Sequence, residues 1–184
     1  MTAIPTHTAP SHTALSHTAL SHTVVDSPLG PLTLVASGEQ LCGVYFDDQR
    51  HGPHRDELGT FEPGGLQGRL AGVSEQLAAY FDGDLTTFDV SLAPKGTPFQ
   101  LQVWAALRQI PYGQTRSYGE IAASLGRPGA ARAVGLANGR NPIGIIVPCH
   151  RVVGADGSLT GYGGGLPRKQ ALLDLEAKSS RLFT

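Results

Sequence analysis

A chain of 184 residues, 40% of them hydrophobic, can bury one or two cores, and its two cysteines, Cys42 and Cys149, exclude a disulfide framework. No apolar run approaches the roughly 20 residues of a membrane span, and the N-terminus shows no secretory signal, so a cytoplasmic protein with reduced thiols is expected. The net charge of −1 hides a split: residues 1–90 carry three arginines against eleven acids, a net of −8, and residues 91–184 carry eleven Lys or Arg against four acids, a net of +7, which suggests an acidic first domain and a basic, nucleic-acid-facing second one.

Residues 1–23 are low-complexity. Residues 11–15 recur as 16–20 and start again at Ser21, so His7, His12, His17 and His22 are spaced by five. That spacing fits neither a helical face nor one side of a strand, and a disordered tail is expected rather than a metal site. Val24-Val25, residues 32–36 and residues 41–46 are short apolar segments separated by Gly- and Pro-containing turns, the pattern of a hairpin or meander. Cys42 lies in the third segment and reads as a buried, inert thiol. Residues 49–65 read as a loop. Leu66, Leu70, Val73, Leu77, Tyr80 and Phe81 recur at helical spacing up to Gly83, and residues 88–92 alternate like a strand. Residues 93–96 break the pattern and mark a domain boundary.

In the basic half, Thr97 is an N-cap with Pro98 at the first helical position, and Phe99, Val103, Leu107 and Ile110 form the buried stripe beside Trp104. Residues 111–113 end that helix. Ser117 and Glu120 make a capping box, opening a short helix that stops at Gly126. After a turn at residues 127–129, residues 130–138 form a second helix. This is the outline of a helix-turn-helix, although a plain αα-hairpin has the same pattern. Ala130, Ala131, Ala133, Gly135 and Ala137 leave little bulk around Arg132, which would let the helix backbone enter a minor groove only about 6 Å wide.

Residues 141–151 carry the chemistry. Pro148-Cys149-His150-Arg151 sets a thiol beside an imidazole and a guanidinium, and both neighbours can favour the nucleophilic thiolate. The apolar run 143–147 is expected to deliver the thiol as a short buried strand, closed by Pro148. Residues 161–165 form a Gly-rich loop without the Lys-Ser or Lys-Thr of a phosphate-binding motif. A helix from about Pro167 carries Glu176 alongside Leu172 and Leu173.

With Asn141-Pro142, Val152-Val153, Gly161-Tyr162 and Gly164-Gly165-Leu166, the Pro-Cys-His-Arg motif resembles the O6-alkylguanine-DNA alkyltransferases, also called methylated-DNA–protein-cysteine methyltransferases, over a stretch reaching back to about Thr97. The resemblance implies an α/β (α+β) fold: a tail at 1–23, a ribonuclease-H-like α/β domain at 24–93, and a mainly helical DNA-binding and alkyl-acceptor domain with a helix-turn-helix at 97–180. It implies DNA repair in which O6-alkylguanine, with O4-methylthymine as a further candidate substrate, is flipped out and its alkyl group passes irreversibly to Cys149, once per molecule, with no cofactor and no metal. His150 would take the thiol proton through a water, Glu176 would orient His150, and Asn141 would hold the hinge. Tyr118 would help swing out the nucleotide and contact guanine N3, while Arg132 would fill the gap left in the stack. Ala131, Ala133 and Gly135 would line the DNA-facing helix. Pro148, Val152, Tyr162 and Gly163 would form the substrate pocket, with the Gly163 N–H on O6 and the Cys149 and Val152 carbonyls on the guanine amine. The implied partner is double-stranded DNA, bound through its minor groove by a monomer, with no membrane. Two rival readings stay open: a thiol hydrolase with a Cys/His/Glu triad, which would turn over repeatedly, and a non-catalytic DNA-binding regulatory module, which would not need Cys149.

Overall fold

The computed structural model describes residues 19–66 and 70–182; the expected tail, with His7, His12 and His17, lies outside them except at its end. There the expectation is corrected. Strand β1 spans Leu20–Val25, so residues 20–23 belong to the sheet and not to a tail. The sequence repeat disguises this strand. Pairing on both sides holds it extended: β1 is antiparallel to β2 (Leu32–Ser37) and parallel to β4 (Thr60–Phe61). Strand β3 (Gln40–Phe46) completes the order β3-β2-β1-β4.

Helix α1 (Val73–Asp82) is shorter than the apolar spacing implied. Leu66 and Leu70 are buried, but they precede the helix rather than form its first turns. Gly83, at φ 86, accepts the left-handed conformation that ends it and donates its N–H to the Ala79 and Tyr80 carbonyls. Residues 88–92 do not form a strand. One bridge, Leu41 to Leu92, is all that pairs, with Leu41 N donating to Ser91 O (2.8 Å) and Ala93 N to Leu41 O (2.9 Å).

That bridge matters because β3 is an edge strand whose backbone groups need partners. Its other half is covered by the second domain: Val44 N donates to Pro142 O (2.9 Å) and Gly144 N to Val44 O (3.1 Å). The sheet edge is thus stitched directly to the segment that leads into Cys149.

The second half is helical. α2 (Pro98–Leu107) starts on a Thr97 cap reciprocated by Gln100, and α3 (Tyr118–Ser124) on a Ser117 cap reciprocated by Glu120. α4 (Ala131–Gly139) and α5 (Leu166–Leu182) follow. A small parallel pair joins β5 (Arg116–Ser117) to β6 (Val152–Val153). Trp104 is 2% exposed and donates its indole N–H to Ala137 O (2.9 Å), which fastens α4 to α2. One apolar core runs through both halves, from Leu34, Leu41 and Tyr80 to Val103, Leu107, Val134 and Val152.

Candidate active site

The thiol is not delivered by a strand. Residues 143–147 form successive tight turns: Ile146 N bonds Gly144 O (2.8 Å), Val147 N bonds Ile143 O (3.0 Å), and Ile145 sits at φ 69 while its side chain is buried. A β-branched residue in the left-handed region is strained, and the closed apolar surroundings hold it there. Asn141 replaces the missing strand partner. Its buried amide donates to Val147 O (2.8 Å) and Ile143 O (3.4 Å), and its carbonyl oxygen accepts from Ile143 N (3.1 Å). Cys149–Arg151 is then one 3-10 turn, and Val152 passes into β6.

Glu176 is the hub behind the thiol. It is fully buried on α5, and its neighbours are hydrogen-bond donors. Tyr80 OH donates to Oε1 (2.8 Å), Gly113 N to Oε2 (3.0 Å), Arg151 Nε to Oε2 (2.9 Å) and Arg151 NH2 to Oε1 (2.9 Å). His150 Nε2 lies 2.8 Å from Oε1. Burial alone would raise this carboxyl, but the bonds and charge of His150 and then Arg151 outweigh it and hold the group down at about 2. Glu176 is therefore an acceptor, His150 Nε2 carries the proton toward it, and the lone pair is on Nδ1. Nδ1 is buried and has no hydrogen-bond partner in the protein. It is the atom free to take a proton.

Arg151 does not do what the motif suggested. Besides Glu176, it donates NH1 to Ile110 O (2.6 Å) and lies over the Tyr112 ring at 5.6 Å. Its charge is spent on the carboxylate. The cation whose field reaches the Cys149 sulfur is Lys169, which the sequence reading did not single out. Lys169 is fully buried, and its Nζ donates to Val152 O (2.5 Å) and Thr160 O (2.7 Å). Burial pushes its ammonium down to about 8, against the pull of Cys149. Cys149 is 5% exposed, and burial pushes its thiol up despite Asn141 and Lys169. Burial likewise pushes His150 down, with Glu176 opposing. At neutral pH the resting pair is thiol and neutral imidazole.

Tyr118, the first residue of α3, hangs its hydroxyl on Thr160 O (3.1 Å), and its ring lies where a side chain on Gly135 of α4 would meet it at 3.6 Å. Burial pushes the Tyr118 and Tyr162 hydroxyls up, and a Cys149 thiolate would push both further. Asn138 donates from α4 to Cys149 O (3.3 Å), so the thiol turn is fastened to that helix. Arg132, Ala133, Leu136 and Arg140 are exposed along one face of α4, with Ala131 and Gly135 at its margins.

The Gly-rich loop is braced from the first domain. Gly163 O accepts from Arg50 N (2.9 Å), and a Cβ on Gly163 would lie 3.4 Å from the Gln49 side chain. Arg168 donates to Leu29 O (2.9 Å), Asp48 Oδ1 (2.5 Å) and Gly164 O (3.1 Å) while lying over the Phe46 ring at 4.4 Å. Of the expected site residues, Cys149, His150, Glu176, Asn141, Tyr118, Tyr162 and Val152 form one connected region, and Pro148 opens the thiol turn. Arg132, Ala131 and Ala133 lie apart on α4. Tyr80, Asn138 and Lys169 are additions to the set. Tyr80 and Lys169 carry no motif, and Asn138 looks like an ordinary helix residue.

Residues 20–94 match a family model described as 6-O-methylguanine DNA methyltransferase, ribonuclease-like domain, and residues 98–178 match the DNA binding domain of the same family. A curated protein of Mycobacterium bovis named methylated-DNA–protein-cysteine methyltransferase is 59% identical over 152 residues, covering 83% of this chain and 89% of that one. One of Methanosarcina acetivorans with the same name is 52% identical over 153 residues, covering 83% and 96%. Among solved structures, Mycobacterium tuberculosis OGT in complex with DNA superposes with a TM-score of 0.81 at 57% identity, covering 86% of this chain and 94% of the other.

Proposed function

The chain belongs to the 6-O-methylguanine DNA methyltransferase family, and we propose that it repairs DNA by moving the alkyl group of O6-alkylguanine onto its own Cys149. The observation that carries this reading is the buried relay Glu176–His150, which ends in an unpartnered Nδ1 one residue from a buried cysteine. In the proposed step, His150 Nδ1 takes the thiol proton, through a water or directly. Sulfur then attacks the O6-bound carbon in line. The S–C bond forms, the C–O6 bond breaks, and its electron pair goes to guanine, which leaves in its unmodified form after protonation. Glu176 fixes the imidazole tautomer and stabilises the imidazolium, a contribution of about 10²–10⁴ for a positioned general base. The product is a thioether, and no group in the site is arranged to cleave it, so each molecule acts once.

A thiol only 5% exposed cannot reach an atom inside a base stack, which supports extrusion of the nucleotide. We assign DNA contact to α3 and α4 as a helix-turn-helix, with the Arg132 face of α4 in the minor groove. Arg116, Arg127, Arg132 and Arg140 are all exposed in this basic half and supply phosphate or groove contacts. Tyr118, between α4 and the Thr160 carbonyl, is suited to guide the base from groove to thiol. Pro148, Val152, Tyr162 and Gly163 are assigned to the pocket. O4-methylthymine, with the same alkoxy linkage on a smaller ring, is a second candidate substrate.

The test is incubation with a duplex containing O6-methylguanine, followed by peptide mass spectrometry. One methyl per protein on the Cys149 peptide is expected, and none in Cys149→Ser, which keeps its affinity for the duplex. Repeated turnover would favour a thiol hydrolase, and unaltered behaviour of Cys149→Ser in every assay would favour a regulatory DNA-binding module.

A further inference from the structure

Lys169 is a fully buried cation that the transfer mechanism does not use. Its place is unusual in three ways. Its ammonium joins two separate backbone segments, the Val152 carbonyl just past the thiol turn and the Thr160 carbonyl at the end of the following loop. The Thr160 carbonyl is the same acceptor that holds the Tyr118 hydroxyl, so Lys169 and Tyr118 meet on one oxygen. Its charge also acts on the Cys149 sulfur and on His150.

Burying an ammonium is expensive unless it is bonded and given a counter-charge. Two carbonyls take two of its three donors but supply no full negative charge. The thiolate that forms during transfer would. The neighbouring acid is not available, because Glu176 is taken up by Arg151, His150, Tyr80 and Gly113.

We propose that Lys169 is a positioning residue with two linked tasks: it pins the 154–160 loop to the thiol turn so that Tyr118 stands over the site, and it is the counter-charge for the Cys149 thiolate. The proposal rests on Cys149 being the acceptor. It assigns to Lys169 the electrostatic role that the motif seemed to give Arg151. The groups that act on Cys149 are then the Asn141 amide, the backbone of the thiol turn, Tyr118 on α3, Tyr162 on the Gly-rich loop and Lys169 on α5, and of these only Lys169 is cationic at rest.

The test needs no DNA. Iodoacetamide alkylates a thiolate, forming an S–C bond and releasing iodide, and its rate on the Cys149 peptide is followed by mass spectrometry across pH. Below about pH 8, where Lys169 carries its charge, the rate in Lys169→Met and Lys169→Gln should fall about tenfold, since a nearby opposite charge favours the ionised thiol. Lys169→Gln keeps amide donors for the two carbonyls, so it retains the fold if the Met variant does not. Lys169→Arg keeps the charge and should hold the wild-type rate in that range. On O6-methylguanine duplex, Lys169→Met and Tyr118→Phe should each slow transfer, and the double variant should lose less than the product of the two, because both act on Thr160 O. A folded Gln variant with the wild-type rate below about pH 8 overturns the counter-charge, and strictly multiplicative losses overturn the shared anchor. Failure of wild-type protein to accept methyl from DNA would instead sink the functional reading, with the iodoacetamide result untouched.

Discussion

Replacing Glu176 with Gln is the sharpest perturbation of the site, because it keeps the shape and removes the charge. The donors around the carboxylate, from Tyr80, Gly113, Arg151 and His150, would face an amide that has only one acceptor oxygen. Arg151 would be left buried without a full counter-charge, a loss of about 3–5 kcal/mol. The depression of the Glu176 carboxyl from 4.5 to about 2 gives a similar scale, about 3 kcal/mol. Because the folded value is the lower one, that stability is complete above about 4.5 and is lost as pH falls toward 2. At pH 7 the melting temperature of Glu176→Gln should drop by about 10 °C, and the gap to wild type should narrow as both are acidified below pH 4. The rate effect has a separate origin. An amide N–H pointed at His150 Nε2 would turn that nitrogen into an acceptor and move the ring proton to Nδ1, the atom assigned to receive the thiol proton. Methyl transfer should slow by about 10²–10⁴ while duplex affinity stays put. Adding Arg151→Met should return most of the stability and none of the rate. An unchanged melting temperature, or transfer within twofold of wild type, refutes the relay.

Two other variants separate scaffold from DNA contact. Asn141→Ala strips the partners from the Val147 carbonyl and the Ile143 N–H, both buried, and should cost about 2–4 kcal/mol in a denaturant titration, with slower transfer as the turn loosens. Arg132→Ala, on an exposed helix face, should leave the melt alone, weaken duplex binding, and lower the slope of log affinity against log salt by about 0.9.

What the sequence revealed was local. The Thr97 and Ser117 capping boxes depend on residues three positions apart, and both helices begin there. Strands β2 and β3, the end of β1 and the turns between them were visible for the same reason, while the repeat hid residues 20–23 of β1. Features decided by distant partners were hidden. An apolar run such as 143–147 has no periodicity that separates a buried strand from buried turns, and here Asn141 and the edge of β3 decide it. Leu66 and Leu70 share the helix phase of α1 yet lie before its start, because burial does not require helix. Within the motif, Cys149 and His150 were legible as neighbours, whereas the partner of Arg151 lies 25 residues on and that of Tyr80 lies 96 residues on. Lys169 gave no signal, since a lysine in a helix reads as surface until the fold encloses it.

Burial governs the thiol in a way the motif alone does not suggest. A flanking imidazole and guanidinium look like a recipe for a standing thiolate, yet the guanidinium faces Glu176 and burial holds both Cys149 and His150 toward their neutral forms. On the proposal that each molecule acts once, that arrangement has a physical logic. A thiolate open to solvent would be consumed by any stray electrophile, and the molecule would be lost. A neutral thiol, 5% exposed behind Tyr118 and Tyr162, gives up its proton readily only when Nδ1 and the sulfur are brought to a suitable carbon with Lys169 and the Glu176 relay already in position. On the proposed mechanism, the energy that ionises the sulfur therefore comes from binding the extruded base. A substrate that fills the pocket should then accelerate Cys149 far more than a free alkylating agent of equal intrinsic reactivity, and equal acceleration of both would mean that the thiolate stands ready beforehand.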